Sequence, residues 1–322
     1  MAKSTWSSYK SAKHMLMKCG KDTRNKMELP LRERDILIFI DYLARHRNLR
    51  GNTINCYLSG LRQLHVIAGI TPPVIRSGLV KLVLKGLTNR DNIASKTAHL
   101  SGRLPMTSNV MLLLKKLIHT LDLSAVDKAL IWAVATVAFA GAFRISEILC
   151  RTESTFDPDF DLLEKDVSFS TDRQGKTTAH FTLKCPKESK DSKVTTVDLF
   201  QNDGPLCPIA AMKHWTNRIV HKRNLPFFCF DDGTPLTGAK MNLLLDKTLG
   251  LYTDKSIGKF TTHSFRIGLA TELGRLGYSD DQIKAAGRWS SRVFEAYIRL
   301  KRAKRSVVAK EISKMTAGKT HK

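Results

Sequence analysis

Apolar residues recur at helical spacing through the first third of the chain. Over Arg34–Arg45, Ile36, Phe39, Ile40 and Leu43 fall on one stripe. Over Thr53–Ile67, Ile54, Tyr57, Leu58, Leu61 and Leu64 do the same. Asn52 or Thr53, after Gly51, is placed to cap this second helix. Thr71-Pro72-Pro73 breaks the pattern, and a shorter helix is predicted over Val74–Gly86. Arg45, Arg47, Arg50, Arg62 and His65 occupy the outer faces, where they could meet phosphates or form an ordinary solvated surface.

Asn89–Pro105 has few apolar residues and no period, and reads as a linker. The expected layout is a helical module over residues 1–90, a linker over 91–104 and a larger domain over 105–322. Beyond the linker, helices are predicted over Asn109–Leu121 and Val126–Phe139, the second so uniformly apolar that it belongs at the centre of a core. Strand-like runs follow at Val167–Ser170, Thr178–Cys185 and Val194–Phe200, separated by the turn-forming RQGK and ESKDSK. They predict a small antiparallel sheet. From Ala211 helices dominate again, with Pro226–Pro235 as an irregular excursion and KRAKRS opening a basic tail. The fold class is mainly α with a small antiparallel sheet (α+β), without internal repeats.

Charge narrows the partners. The 322 residues hold 53 Lys+Arg against 29 Asp+Glu, a net charge of +24. That excess says little about fold but points to a polyanion, with binding expected to weaken as salt rises. Six scattered cysteines form no CxxC pair and read as buried thiols of a reducing compartment. The lysine-interrupted opening segment does not look like a secretion signal, and the apolar run Ala129–Phe143 is shorter than the roughly 20 residues a bilayer span needs. The expectation is an intracellular protein with no membrane partner.

The chemistry-bearing residues concentrate in Thr262–Arg299, THSFRIGLATELGRLGYSDDQIKAAGRWSSRVFEAYIR. His263 and Arg266 stand three apart, so on a helix they would project toward one point. Trp289 follows in GRW and Tyr297 in FEAYIR; Arg144 lies far upstream in GAFRISEIL. Glu147, three residues after Arg144, can hold its guanidinium on the same helix face. Asp157/Asp159/Asp161, Asp231-Asp232 and Asp280-Asp281 sit in turn contexts without spaced histidines or cysteines, and no Walker-type glycine loop is present. Neither a metal nor another cofactor is expected.

This set resembles the tyrosine recombinases, the lambda-integrase family. The resemblance is strongest over residues 130–300 and architectural before 90, and HSFRIG with GRWSS is closest in style to recombinases of DIRS-type mobile elements. It implies an integrase that cuts and rejoins double-stranded DNA without metal or ATP. Arg144 and Arg266 would clamp the phosphate, because guanidinium is always charged and matches phosphate oxygens bidentately. Glu147 would orient Arg144. His263 would donate to a phosphate oxygen or accept the tyrosine proton. Trp289 holds the family's His/Trp position, where its indole N–H can donate but not shuttle protons.

Tyr297 would be the nucleophile, forming a 3′-phosphotyrosyl link; the spacing from Trp289 is one residue shorter than in the family, and Tyr278 is the nearest competitor. A lysine after the second strand would protonate the leaving 5′ oxygen. CPKESKDSK offers Lys187, Lys190 and Lys193, of which Lys187 fits best. The family works as a tetramer on two DNA sites, and the tail after Tyr297 is placed to dock on a neighbouring protomer. Nuclear residence is expected in a eukaryote, cytoplasm or nucleoid otherwise. Two rival readings are a recombinase-derived DNA-binding protein that no longer cuts, and a type IB topoisomerase-like enzyme.

Overall fold

The computed structural model describes residues 3–71, 77–97, 102–154, 156–184, 194–218, 225–253, 258–289 and 294–295. The chain divides into two compact units, Met1–Leu100 and Ser101–Lys322.

The first unit contains α1 (Lys3–Thr23), α2 (Glu33–Asp41), α3 (Gly51–Ile67) and α4 (Gly78–Thr97). Ala12, Leu16 and Cys19 of α1 meet Ile36, Phe39 and Ile40 of α2 and Ile54, Leu58 and Leu61 of α3 in one core. The predicted stripes of α2 and α3 are therefore the buried faces. Several local expectations differ. After Asp41 the helix widens into a π-helical turn, Tyr42–His46, where the Tyr42 hydroxyl donates to Asp22 at 2.6 Å.

Helix α3 starts before Asn52, with Arg50 at its N-cap, and its first amide, Gly51, donates to the Asp91 carboxylate at 2.6 Å. Asp91 lies on α4, which continues to Thr97 through the stretch read as linker. That stretch is mostly polar, so it lacks the apolar stripe by which sequence reveals a helix. His65 is not on a solvated face but buried: its Nδ1 pairs with the Leu61 carbonyl at 2.8 Å, and its Nε2 accepts from the Leu31 amide at 3.1 Å. Those bonds mark it as a structural residue that ties α3 to the segment before α2. Among the described cysteines Cys56 is exposed, whereas Cys19, Cys150, Cys207 and Cys229 are buried.

The second unit opens with β1 (Gly102–Arg103), α5 (Ser108–Ile118), α6 (Ala125–Ala140) and α7 (Ile145–Ile148). Then come β2 (Val167–Thr171), β3 (Thr177–Leu183), β4 (Thr195–Phe200), α8 (Pro208–Thr216) and α9 (Gly238–Leu249). It closes with β5 (Gly258–Lys259), α10 (Ser264–Arg275) and α11 (Asp280–Ala286). Helix α6 is buried continuously from Ala129 to Phe139 apart from Trp132, as its unbroken apolar run predicts. Ser124 caps it by accepting from the Asp127 amide at 3.0 Å.

Strands β2, β3 and β4 form the expected antiparallel sheet, in order β2-β3-β4, with Val167 opposite Phe181 and Phe181 opposite Val197. Thr177, Ala179, Phe181 and Leu183 alternate inward, and Phe181 meets Phe143 beyond α6 at 5.3 Å between ring centres. A second pair, β1 with β5, is parallel and was not anticipated: Gly102 faces Gly258 and Arg103 faces Lys259. Two-residue strands carry no alternation to read. Their pairing, with the Met106 amide on the Ser264 carbonyl at 3.0 Å, brings Arg103 alongside the start of α10.

Candidate active site

Two helix ends build the site, and they are the same device. Helix α6 ends at Gly141, where the Ala142 amide returns to the Phe139 carbonyl at 3.2 Å and the Phe143 amide to Ala138 at 3.2 Å. Helix α11 ends at Gly287, where Arg288 returns to Ala285 at 3.0 Å and Trp289 to Lys284 at 3.0 Å. Both are Schellman turns. The left-handed position, usually glycine, is here Ala142 (φ 44°) and Arg288 (φ 51°). In each turn the aromatic ring folds back over the preceding glycine. A Cβ on Gly141 would lie 2.2 Å from the Phe143 ring, and one on Gly287 would lie 1.9 Å from the Trp289 ring. The motifs GAF and GRW are thus glycine-plus-aromatic caps.

Arg266 joins the two caps. It projects from α10 into the protein, 1% exposed, and donates through Nη1 to the Ala142 carbonyl and through Nη2 to the Gly287 carbonyl at 2.9 Å. Its Cζ lies 5.0 Å from the centre of the Trp289 ring. Trp289 packs in turn with Phe294, Ile283 and Ala270. Burying a guanidinium costs several kcal/mol unless its donors are matched, and here turn carbonyls and an aromatic face supply the match.

Arg144 precedes α7 in extended backbone rather than lying on it. The expected pairing with Glu147 forms by another route: Arg144 Nη1 donates to Glu147 Oε1 at 3.0 Å, and its backbone amide to Oε2 at 2.8 Å. Glu147, its side chain 6% exposed, also accepts from Arg288 Nη2 at 3.0 Å. Arg288 is a residue the sequence reading missed; the signal was a bulky residue directly after the cap glycine in GRW.

His263 likewise sits at the N-cap of α10, where its helical backbone (φ −72°, ψ −18°) leads into the helix three residues before Arg266. It is half-buried, and its imidazole is pushed down to about 4. Burial is the largest cause, followed by the positive charges of Arg103, Arg266 and Arg144. The ring is neutral at physiological pH, with three guanidinium charges acting on it. Arg103, exposed on β1, was also missed, since nothing in SGRLP marks it in sequence.

Lys187, its alternatives Lys190 and Lys193, and Tyr297 lie outside the described residues. The neighbouring Lys184 is committed elsewhere, to the Asp166 carboxylate at 2.6 Å and the carbonyls of Pro158 and Asp161 at 2.8 and 3.0 Å. The aspartates of residues 157–161 form turn bonds, Asp161 accepting from the Asp157 amide at 2.7 Å. Among the described residues no group of three or more His, Cys, Asp and Glu could hold a metal ion, and no helix is long and apolar enough to cross a membrane.

No protein-family model and no curated protein matches the sequence. Solved structures do match in fold. The XerH site-specific recombinase bound to its palindromic difH substrate aligns at TM-score 0.56 and 16% identity, over 90% of this chain and 75% of that one. The Tn1549 transposon integrase with circular intermediate DNA aligns at 0.55 and 14%, over 92% and 90%. A lambda integrase dimer on a COC′ core site aligns at 0.52 and 11%, over 92% and 72%. The mostly helical second unit around one small antiparallel sheet, with Arg266 and Arg288 tying two capped helix ends together, has the fold of the tyrosine recombinases.

Proposed function

We propose that this protein is a site-specific recombinase that cleaves and rejoins double-stranded DNA through a 3′-phosphotyrosyl intermediate. The observation that carries the reading is the joining of Arg266, through two helix caps, to the Arg144–Glu147–Arg288 cluster, with the charges of Arg103, Arg266 and Arg144 acting on a neutral His263. Concentrated positive charge next to an uncharged imidazole suits a phosphodiester, whose negative charge grows as phosphorus becomes five-coordinate. The solved neighbours are DNA complexes of recombinases and integrases, which supports the same partner.

In this mechanism the arginines neutralise the non-bridging oxygens and His263 donates to one of them or receives the phenolic proton. The Tyr297 oxygen attacks phosphorus, and the 5′ oxygen departs with a proton from Lys187. Attack by a 5′ hydroxyl reverses the step and releases tyrosine, so the bond energy is kept and no nucleotide is consumed. A tyrosine titrates near 10 unperturbed, so a cationic setting is what makes it competent near neutrality. Exchange between two DNA sites calls for self-association, as a tetramer, and a mobile element is the natural context, with nuclear residence in a eukaryotic host.

Trapping on a nicked suicide substrate tests this. Wild-type protein should form a covalent adduct with DNA from the ends of its own element, and Tyr297→Phe should not. Salt-sensitive binding without an adduct would leave a DNA-binding protein, and relaxation of plasmid without sequence preference would indicate a topoisomerase. An adduct that survives the substitution would move the nucleophile to another tyrosine.

A further inference from the structure

We propose that Arg288 is a positioning residue that locks the Arg144–Glu147 pair to the Trp289 cap; the role rests on the recombinase reading for its effect on catalysis. Its guanidinium bridges two distant pieces of chain. Nη1 donates to the Gly141 carbonyl at 2.8 Å, Nη2 donates to Glu147 Oε2 at 3.0 Å, and Cζ stacks 5.0 Å from the centre of the Phe143 ring. Glu147 is thereby held between two guanidiniums, with Oε1 turned to the Arg144 side chain.

The backbone conformation shows what this bond competes against. Arg288 occupies a left-handed position, φ 51°, where glycine is the unstrained residue. A large cationic side chain there is accommodated by what it reaches. Lysine would not substitute, because one ammonium cannot span a carbonyl and a carboxylate served by separate nitrogens. The consequence is a shared frame: Arg266 ties both caps through carbonyls, and Arg288 ties the second cap to the carboxylate that aims Arg144. A fixed aim matters for catalysis, since a displacement of about 1 Å at a reacting centre can cost on the order of 100-fold in rate.

Arg288→Gly separates positioning from folding, because glycine adopts this φ freely. Single-turnover cleavage of the suicide substrate should slow by roughly 10- to 100-fold, with DNA affinity little changed. Added guanidinium ion should restore part of the rate, and Arg288→Lys should not. Wild-type cleavage by Arg288→Gly, or a rate loss that tracks lost affinity and resists guanidinium, overturns the role.

A wild-type protein that never cleaves overturns the recombinase reading itself, which the Tyr297→Phe comparison identifies independently. A readout without DNA then remains. In a double-mutant cycle of Arg288→Gly and Glu147→Gln by urea denaturation, the effects on the unfolding equilibrium should miss additivity by about fivefold or more. Strict additivity means the two side chains are not coupled, and the frame fails.

Discussion

The guanidinium of Arg266 stacks on the ring of Trp289, 5.0 Å from Cζ to ring centre, while its nitrogens bond carbonyls of both helix caps. Trp289 is therefore one wall of the Arg266 pocket. Trp289→Ala should destabilise the protein by about 3–5 kcal/mol, the usual range for a buried tryptophan. Trp289→Phe, which keeps a ring beneath the guanidinium, should cost distinctly less. Urea denaturation of the two variants reads the difference; equal losses would mean that the stack contributes nothing.

The cap glycines should tolerate no side chain. Gly141→Ala and Gly287→Ala each place a methyl within 2.2 Å and 1.9 Å of an aromatic ring, an overpacking that costs about 1–3 kcal/mol or more. Gly287→Ala should also abolish adduct formation while DNA binding persists, because Trp289 must leave Arg266 to make room. Thermal melts combined with gel-shift and trapping assays check both parts.

Protonation of His263 opposes folding. Its native value is about 4, below the roughly 6.5 of an unfolded histidine. Between those values the unfolded chain holds a proton that the native chain does not, so stability rises with pH across this window and is lost as pH falls through it. His263→Gln should flatten that part of the profile. Urea midpoints of the two proteins between pH 4 and pH 7 make the comparison, and parallel profiles would contradict the assignment.

With a net charge of +24, DNA binding should be strongly salt-dependent. A protein neutralising six to ten phosphates loses about 10³- to 10⁵-fold in affinity between 50 and 200 mM salt. Arg144→Ala should lower the slope of log affinity against log salt by about one. Fluorescence anisotropy on a duplex checks the value, and an affinity indifferent to salt would remove phosphate as the ligand.

Much of the architecture is legible in residues alone. The stripe of Ile36, Phe39 and Ile40, the unbroken apolar run of α6 and the alternation of Ala179, Phe181 and Leu183 each report burial directly. The C-terminal half of α4 is not legible, because its residues are mostly polar and it is joined to α3 by contacts such as the Asp91 carboxylate on the distant Gly51 amide. His65 has the look of a surface histidine in a helix, and only packing shows it closed in by Leu31 and Leu61.

The candidate site divides in the same way. The resemblance of the motifs to the tyrosine recombinases is what singles out Arg144, Glu147, His263, Arg266 and Trp289; spacing and charge alone leave each of them open to an ordinary structural role. The sequence suggests that Arg144 pairs with Glu147, a short-range contact set three residues apart. It cannot reveal that Arg266 faces inward to two turn carbonyls, that Arg288 shares Glu147, or that Arg103 approaches His263 through a two-residue parallel pairing. Those relations join segments far apart along the chain, and their geometry comes from where α6, α10 and α11 end. Local periodicity encodes which face of an element is buried; only the packed structure decides which helix ends meet, and with them the direction in which each charge points.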